Sequence, residues 1–288
     1  MYLTFPILGA LALLVARFGP LRWDLVVVAV LSLEFFLMAL TLYSDYHDYV
    51  NGIDRINEHN LTKPLVLGLM RPFQALQLAK VFLTFSFLSA LYLFAQQPLV
   101  IVFAGVAFGL TYLFASSVFG QRFKGLSSIM SFFLSGPLLV LGLEFLLFKE
   151  LSLISGVIGF VFGLHAFKYG YVKQIRDIFY NSKAKIRTLS TTVGFEKSKA
   201  LYGLFTMIHL ASLSLFVILY GKPIFWSLVI VSLSFEFYIN RLLHNAASFL
   251  SSNVTQCLDL QKLHFTIEIF VMIFLLLQSL WFLSLIHI

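Results

Sequence analysis

The sequence is poor in charged residues and in cysteine, and each shortage excludes classes of protein. Charged residues make up 11% of the 288 residues and hydrophobic residues 60%, whereas soluble domains are about 25% charged and about 45–50% apolar. An ordinary soluble domain and a disordered chain are therefore excluded. The single cysteine, Cys257, excludes a disulfide framework, a zinc site built from cysteines and an iron–sulfur cluster.

Long apolar runs are what the sequence has in abundance. A mean hydropathy of +0.93 and 33 phenylalanines indicate a body solvated by lipid. No run alternates with the period of two that marks the strands of an outer-membrane barrel. Helices are then the remaining way to satisfy the backbone inside a bilayer, so the sequence predicts an all-α integral membrane protein.

Nine segments are long enough to cross a bilayer, which takes about 20 apolar residues. The first lacks a basic leading region and a small-residue cleavage site, so it is interpreted as a span and not as a secretion signal. No linker divides the chain, and we expect one membrane-embedded domain over residues 1–288. The predicted spans are 3–19, 24–43, 73–95, 98–116, 126–147, 151–171, 199–220, 224–243 and 264–287.

The loops between these segments alternate between short ones and long polar ones. Four of the 20 Lys and Arg residues belong to the short-loop side, and the other sixteen belong to the long-loop side. The positive-inside rule then places the long loops in the cytoplasm, with the N-terminus inside and the C-terminus outside a multi-pass protein of the plasma membrane. This asymmetry accounts for the net charge of +7, and nucleic acid is not expected as a partner.

The first long loop carries acidic residues at the inner end of span two. Asp45 and Asp48 are three residues apart, so they share one face if the helix continues. Two carboxylates at that spacing suit Mg²⁺, which commonly shares its oxygen ligands with a substrate phosphate. Gly52 would let the chain turn so that Asp54 reaches the same ion. The alternative is a solvated, acidic helix end.

A second constellation follows span six, on the same side of the membrane. Gln174, Asp177 and Asn181 stand at positions i, i+3 and i+7, which again predicts one helical face of oxygen ligands. Three cations follow within a short segment: Lys183, Lys185 and Arg187. The alternative for each cation is cytoplasmic surface charge in contact with lipid headgroups. Together, the two loops would satisfy an anionic diphosphate bridged by Mg²⁺.

These loops resemble motifs of the UbiA-type intramembrane prenyltransferases. The run from Asp45 to Asp54 is most similar to the naphthoate branch of the menaquinone pathway, in which a glycine stands just before the last aspartate. Residues 62–68 and 175–194 resemble further patterns of the family, as do residues 109–112 and 136–142. The resemblance covers about residues 25 to 205 of the chain.

The resemblance implies a bundle of about nine helices around a cavity open to lipid. It also implies an enzyme that moves a polyprenyl group from an isoprenoid diphosphate to a lipophilic aromatic acceptor resembling naphthoate or a quinone precursor, with Mg²⁺ assisting ionisation to an allylic carbocation. The implied catalytic residues are Asp45, Asp48, Asp177 and Tyr112. The implied metal ligands are Asp45, Asp48, Asp54, Asp177, Asn181 and Gln174. The implied diphosphate contacts are Lys63, Arg176, Lys183, Arg187, Arg122 and Lys124.

The chain departs from the family pattern in its second motif. Asn181 stands where an aspartate is usual, and Lys173 and Gln174 stand where two asparagines are usual in the naphthoate branch. We therefore expect one Mg²⁺, carried by the first motif, and leave a second ion open. Two alternatives stay open as well: an acceptor bearing a glycerol phosphate or sugar phosphate, and a degenerate relative that binds isoprenoids without catalysis. For Tyr112, an interfacial position is the alternative.

Ionisable residues also fall within the predicted spans, where charge is costly and such groups usually face a cavity or a partner. Glu144 is expected near the outer interface. His209 is expected to be a neutral packing residue, and Cys257 a loop residue without a role. The other members of this set are Glu34, Glu236 and His165.

Overall fold

A computed structural model describes residues 4–57, 61–115 and 127–286. Within those ranges the only regular secondary structure is helical, which confirms the predicted all-α class. A single 3₁₀ turn, Pro223–Phe225, accompanies the α-helices. The α-helices are α1 (Thr4–Phe18), α2 (Trp23–Val50), α3 (Ile53–Ile56), α4 (Pro72–Gln96), α5 (Val100–Ala115), α6 (Ser127–Ser135), α7 (Pro137–Phe148), α8 (Leu153–Arg176), α9 (Ile178–Lys183), α10 (Leu189–Val193), α11 (Phe195–Tyr220), α12 (Trp226–His244) and α13 (Ser252–Ile286).

Seven helical segments in the described residues are long and apolar enough to cross a membrane. They coincide with seven of the nine predicted spans, so the chain is a multi-pass helical membrane protein. The first and fourth predicted spans correspond to shorter apolar helices, Phe5–Phe18 and Val100–Thr111. The described residues therefore do not establish the predicted total of nine.

Backbone packing divides the chain into two compact units. The larger unit comprises Met1–Leu21, Ser128–Arg176 and Val193–Ile288. The smaller unit comprises Arg22–Ser127 and Asp177–Thr192. The short segment that follows α8 thus groups with the first half of the chain.

In the larger unit, α8 is the central helix. It packs against α7, α11 and α13, while α1 packs against α7 and α13 and α12 lies between α11 and α13. Apolar side chains such as Leu13, Phe162 and Phe216 are fully buried there. Polar contacts reinforce this packing: the Arg17 guanidinium lies 3.2 Å from the Glu144 carboxylate, which also accepts a hydrogen bond from the Ser152 hydroxyl. Glu144 is therefore a buried, paired residue, and its predicted position near the outer interface stays a prediction.

In the smaller unit, α2 and α4 pack side by side along their length. Hydroxyl groups link them reciprocally: Ser32 donates to the Ser86 carbonyl at 3.0 Å, and Ser86 donates to the Ser32 carbonyl at 2.9 Å. The Phe35 and Phe82 rings stack beside this link at 6.0 Å. Interhelical hydrogen bonds of this kind hold helices together in lipid, where the hydrophobic effect gives no preference for contact. This pairing sets the position of the C-terminal end of α2.

The polar stretch before the last span differs from its prediction. Residues 244–263 were predicted as a loop, but α13 begins at Ser252 and runs 35 residues. Val254, Cys257 and Leu258 are buried at helical spacing, so the polar residues between them mark the exposed side of an amphipathic helix. Cys257 is accordingly a buried helix residue, with its thiol 3.6 Å from the Ile239 carbonyl, and not a loop residue.

Gly136 separates α6 from α7 and allows a close approach to α8. A Cβ atom at this position would lie 2.3 Å from the Gly159 carbonyl oxygen and 2.6 Å from the Gly163 backbone. These neighbours are backbone atoms, which cannot rotate away as a side chain does. The contact between α7 and α8 therefore requires glycine at position 136.

Gly136→Ala is expected to destabilise the protein by at least about 1–3 kcal/mol, the usual cost of overpacking a core. The measurement is the midpoint of thermal unfolding in detergent. Gly156→Ala on α8 is the matched control, because its Cβ meets nothing within 4 Å and alanine favours a helix over glycine. Equal midpoints for the two variants would contradict this packing.

Candidate active site

The C-terminal end of α2 carries the first two acidic residues of the candidate site. The helix continues to Val50, several residues beyond the predicted end of span two. Asp45 and Asp48 therefore lie on one turn of a regular helix and share a face, as their spacing predicts. Both are half-buried.

A glycine turn brings a third carboxylate to the same place. Gly52 has a φ of 72°, a left-handed conformation that glycine adopts without strain, and it ends α2 and begins α3. Asp54 follows in the first turn of α3 and is fully buried. The predicted turn is therefore formed, and it returns the chain toward α2.

Lys63 joins these carboxylates. Its Nζ atom lies 2.6 Å from Oδ1 of Asp45 and 3.0 Å from Oδ1 of Asp54. The residue sits at the start of a series of turns: the Val66 and Leu67 amides donate to the Lys63 carbonyl, and Gly68 has a φ of 72°. The sequence predicted Lys63 as a diphosphate contact, and the structure places it between two of the predicted metal ligands.

The three carboxylates of this carboxylate cluster, Asp45, Asp48 and Asp54, influence one another and Lys63. Burial raises the pKa of the Asp54 carboxyl, and the charges of Asp48 and Asp45 raise it further against the opposing effect of Lys63. For Lys63, burial lowers the pKa of the ammonium, but the hydrogen bond and charge of Asp45 and the charge of Asp54 outweigh burial and raise the net pKa. Lys63 therefore stays protonated beside Asp45 and Asp54.

The second acidic motif does not form the predicted continuous helical face. Helix α8 ends at Arg176 and α9 begins at Ile178, so Asp177 lies between the two helices. Asp177 is buried, and its backbone carbonyl accepts a hydrogen bond from the backbone amide of Asn181 at 2.8 Å. Asp177 and Asn181 both belong to the smaller unit, as does the carboxylate cluster.

Gln174 and Arg176 precede this break and belong to the larger unit. The Gln174 amide nitrogen donates to the Ser128 hydroxyl at 2.8 Å, and Gln174 is buried. The helix that would carry Gln174, Asp177 and Asn181 is thus interrupted at Asp177, and their predicted common ligand face stays a prediction. Each residue remains a predicted ligand or contact in its own right.

The basic segment after Asp177 is exposed and tightly turned. Lys183, Lys185 and Arg187 are all exposed, and Lys185 has a left-handed φ of 56°. The Ile186 amide donates to the Asn181 carbonyl at 2.8 Å, which closes the turn. Three cations are thereby presented to solvent within one short segment of the smaller unit.

The structure does not describe three of the predicted site residues in full. Arg122 and Lys124 fall outside the described residues. Tyr112 lies in α5, with its backbone described and its side chain outside the description. Their predicted roles remain predictions.

The sequence analysis missed three buried ionisable residues of the larger unit. Lys168, His264 and Glu268 lie in membrane-spanning helices with almost no exposure. The spacing of these residues in the sequence indicates their grouping. Lys168 is three residues from His165 and Glu268 is four residues from His264, so each pair shares a helical face. His209, expected to be a neutral packing residue, lies 3.8 Å from a carboxylate oxygen of Glu236 and 3.6 Å from one of Glu268.

The fold and the site define a class: a helical membrane protein with an acidic cluster at the C-terminal end of its second helix. A model of the UbiA prenyltransferase family matches residues 3–250. The chain belongs to this family. No curated protein sequence is significantly similar to it.

Solved structures share the fold at low sequence identity. A UbiA homolog from Aeropyrum pernix K1 in its apo form has a TM-score of 0.71 and 19% identity, covering 95% of this chain and 96% of that one. A UbiA homolog from Archaeoglobus fulgidus bound to GPP and Mg²⁺ has a TM-score of 0.66 and 17% identity, with coverages of 94% and 95%. A structure of digeranylgeranylglyceryl phosphate synthase has a TM-score of 0.67 and 17% identity, with coverages of 94% and 92%.

Lys63→Met is expected to lower the free energy of unfolding by about 1–3 kcal/mol. This is less than the about 3–5 kcal/mol for breaking a fully buried ion pair, because the Lys63 side chain is 24% exposed. Thermal unfolding in detergent without divalent ions measures the change. Lys80→Met, at an exposed lysine of α4 in the same unit, is the control and should leave the midpoint unchanged. An unaltered midpoint for Lys63→Met would contradict the ion pairs.

Proposed function

We propose that the protein is an integral membrane polyprenyltransferase, with its active-site loops on the cytoplasmic side of the membrane. It transfers a polyprenyl group from an isoprenoid diphosphate to a lipophilic aromatic acceptor of the naphthoate type. The observation that carries this proposal is the carboxylate cluster around Lys63, in the same compact unit as the Asp177–Thr192 segment. Membership of the UbiA prenyltransferase family supports it.

The cluster suits a magnesium ion. Asp45, Asp48 and Asp54 supply hard carboxylate oxygens, the ligand type that Mg²⁺ prefers. Their mutual repulsion contributes to the raised pKa of Asp54, and a divalent cation would relieve it. We assign one ion to this cluster and keep Asp177, Asn181 and Gln174 as ligands proposed for a second. A relative of the same fold was solved with GPP and Mg²⁺.

Cationic side chains complete the proposed diphosphate site. The exposed Lys183 and Arg187 can reach an anionic headgroup, and Lys63 already lies against two of the carboxylates. Arg176, Arg122 and Lys124 are further proposed contacts. When bound, Mg²⁺ adds positive charge that stabilises the diphosphate as a leaving group. The chain's own cations would contribute positive charge in the same way.

The proposed chemistry breaks the allylic C–O bond, and the bonding electrons leave with the diphosphate. The allylic carbocation is then attacked by an electron-rich carbon of the acceptor, which afterwards loses a proton. Tyr112 is our candidate for stabilising the cation, since aromatic faces attract positive charge. Asp45 and Asp48 are assigned as catalytic residues because they hold the ion, and Asp177 is assigned with them.

A phosphate-bearing acceptor is the second candidate. Two observations favour it: the exposed cations Lys183, Lys185 and Arg187, and a fold shared with digeranylgeranylglyceryl phosphate synthase. In this case a hydroxyl oxygen attacks the carbocation, and an ether replaces the carbon–carbon bond. The naphthoate acceptor is preferred because the motif from Asp45 to Asp54 is most similar to that branch.

Asp45→Ala and Asp48→Ala are each expected to lower Mg²⁺-dependent release of diphosphate by at least about 100-fold, since each removes charge that acts on the leaving group. Asn181→Ala should weaken the activity without abolishing it. The assay uses purified protein in detergent with geranylgeranyl diphosphate. Asp24→Ala is the matched control, because Asp24 lies exposed at the other end of α2 and pairs with Arg22. Full activity of Asp48→Ala would remove the metal assignment.

The acceptor is tested by direct competition. Purified protein with Mg²⁺ and labelled geranylgeranyl diphosphate is offered a dihydroxynaphthoate and geranylgeranylglyceryl phosphate, and the products are separated by chromatography. We expect label in the prenylated naphthoate, because that acceptor needs an apolar pocket and no additional basic cluster. Label only in a digeranylgeranyl ether would establish the second candidate in its place. Release of diphosphate without transfer to either would reject both acceptors.

A further inference from the structure

The larger unit contains a cluster of ionisable side chains within its membrane-spanning helices. It is formed by α8, α11, α12 and α13, and each member is at most 3% exposed. Such groups are costly inside a bilayer and usually have a specific function or partner. The members of this histidine–glutamate cluster are His165, Lys168, His209, Glu236, His264 and Glu268.

Glu236 has a full set of partners. The Lys168 ammonium forms a buried ion pair with Oε1 of Glu236. The Tyr202 hydroxyl donates to its Oε2 atom at 3.1 Å, and the Thr206 hydroxyl does so at 2.8 Å. One cation and two hydroxyl donors therefore satisfy this carboxylate, and Lys168 balances its charge.

Glu268 is different, because its ion-pair partners in the described part of the chain are imidazoles. Its Oε1 atom lies 3.1 Å from Nε2 of His165 and 3.6 Å from Nε2 of His209. Its Oε2 atom lies 3.2 Å from Nε2 of His264. Three histidine side chains thus surround one carboxylate that has no lysine or arginine beside it in those residues.

The ring nitrogens are close to this carboxylate but are not directed at it as donors. Neither nitrogen of His165 or His209 makes a hydrogen bond of acceptable geometry, although both residues are buried. A buried imidazole without a hydrogen bond is costly. Ring nitrogens that bind a metal ion together with a carboxylate would lie close to that carboxylate without a hydrogen bond to it, because their lone pairs are directed at the ion.

The ligand atoms are grouped closely enough for small side-chain shifts to bring them to one metal ion. Zinc binds imidazole nitrogen at about 2.0–2.1 Å and carboxylate oxygen at about 2.0–2.2 Å, so neighbouring ligand atoms of a tetrahedral site are about 3.3–3.5 Å apart. The nitrogen–oxygen distances around Glu268 are 3.1, 3.2 and 3.6 Å. One ligand atom from each of His165, His264 and Glu268 lies within 4.8 Å of the other two.

The surrounding groups resemble the outer partners of metal ligands. Nδ1 of His264 faces Oε1 of Glu236 at 3.3 Å, and the Ser232 hydroxyl donates to Oε2 of Glu268. Metal-binding histidines usually direct their second nitrogen at a carboxylate, and metal-binding carboxylates are usually hydrogen-bonded in turn. Glu236, held by Lys168, therefore lies beside the second nitrogen of His264, although no hydrogen bond of acceptable geometry joins them.

We propose that His165, His264 and Glu268 bind a divalent transition-metal ion such as Zn²⁺, with His209 at the remaining side. Imidazole nitrogen suits zinc and its neighbours, whereas Mg²⁺ prefers oxygen. The ion connects α8 to α13 and neutralises Glu268. It is a structural ion of the larger unit and is independent of the proposed prenyl transfer.

The test is the metal content and cobalt binding of the full-length protein in detergent. Purified protein is expected to contain one zinc per chain by mass spectrometry of the elements. After removal of metal with a chelator, added Co²⁺ should give the visible absorption of a site with nitrogen and oxygen ligands, and added Zn²⁺ should abolish that absorption. Zn²⁺ should also raise the thermal midpoint of the metal-free protein.

Two variants assign the ligands. Glu268→Gln preserves side-chain volume, and His165→Ala removes one imidazole; both are expected to lose the cobalt absorption and the stabilisation by Zn²⁺. His244→Ala is the control, because His244 is an exposed histidine at the end of α12, and it should behave as wild type.

The wild-type protein alone decides the outcome if a variant does not fold. Folded wild type that binds neither Zn²⁺ nor Co²⁺ at one equivalent overturns the proposal, and the cluster then holds a proton on one imidazole instead. Metal binding that survives in folded Glu268→Gln also overturns the ligand assignment. Neither result depends on activity, so the proposed prenyl transfer stands or fails separately.

Discussion

The cost of placing charge among membrane helices is the constraint on which the rest of this structure depends. An ionised side chain buried away from water needs an opposite charge and hydrogen bonds. In the larger unit, Lys168 pairs with Glu236, and Arg17 pairs with Glu144. Both pairs join helices that are distant in sequence. These ion pairs determine which helices pack together and how the helices are aligned along their axes. Apolar side chains do not determine this, because they contact lipid and other helices almost equally well.

The same constraint separates structural charge from functional charge. Glu236 is balanced by one lysine and two hydroxyl groups, so nothing further is needed there. Two other places gather several carboxylate or imidazole groups: the carboxylates around Lys63, and Glu268 with its histidines. Carboxylate and imidazole groups held close together are the usual ligands of metal ions in proteins. These are the two places to which we assign ions.

Local physical signals made much of the fold predictable from the sequence. Apolar length predicted the positions of seven spans, and the spacing of Asp45 and Asp48 with the turn at Gly52 predicted the shape of the first motif. Composition could not distinguish a polar loop from the exposed side of a helix, so the first turns of α13 were missed. Spacing could not foresee that α8 stops at Arg176. The pairing of Lys168 with Glu236, 68 residues apart, depends on packing that no local pattern encodes.

The two proposed ion sites differ in the chemistry of their ligands, and this difference lets one chain keep two ions apart. The cluster at Asp45, Asp48 and Asp54 has only carboxylate oxygens, is half-exposed at Asp45, and suits an ion that exchanges readily and shares its ligands with a phosphate. The site at His165, His264 and Glu268 offers imidazole and is buried. Transition metals bind nitrogen ligands more tightly than Mg²⁺ does, so the buried site selects against the abundant ion. Because of their ligand types and exposure, the carboxylate site suits an ion that exchanges with solution, and the histidine site suits an ion that stays bound.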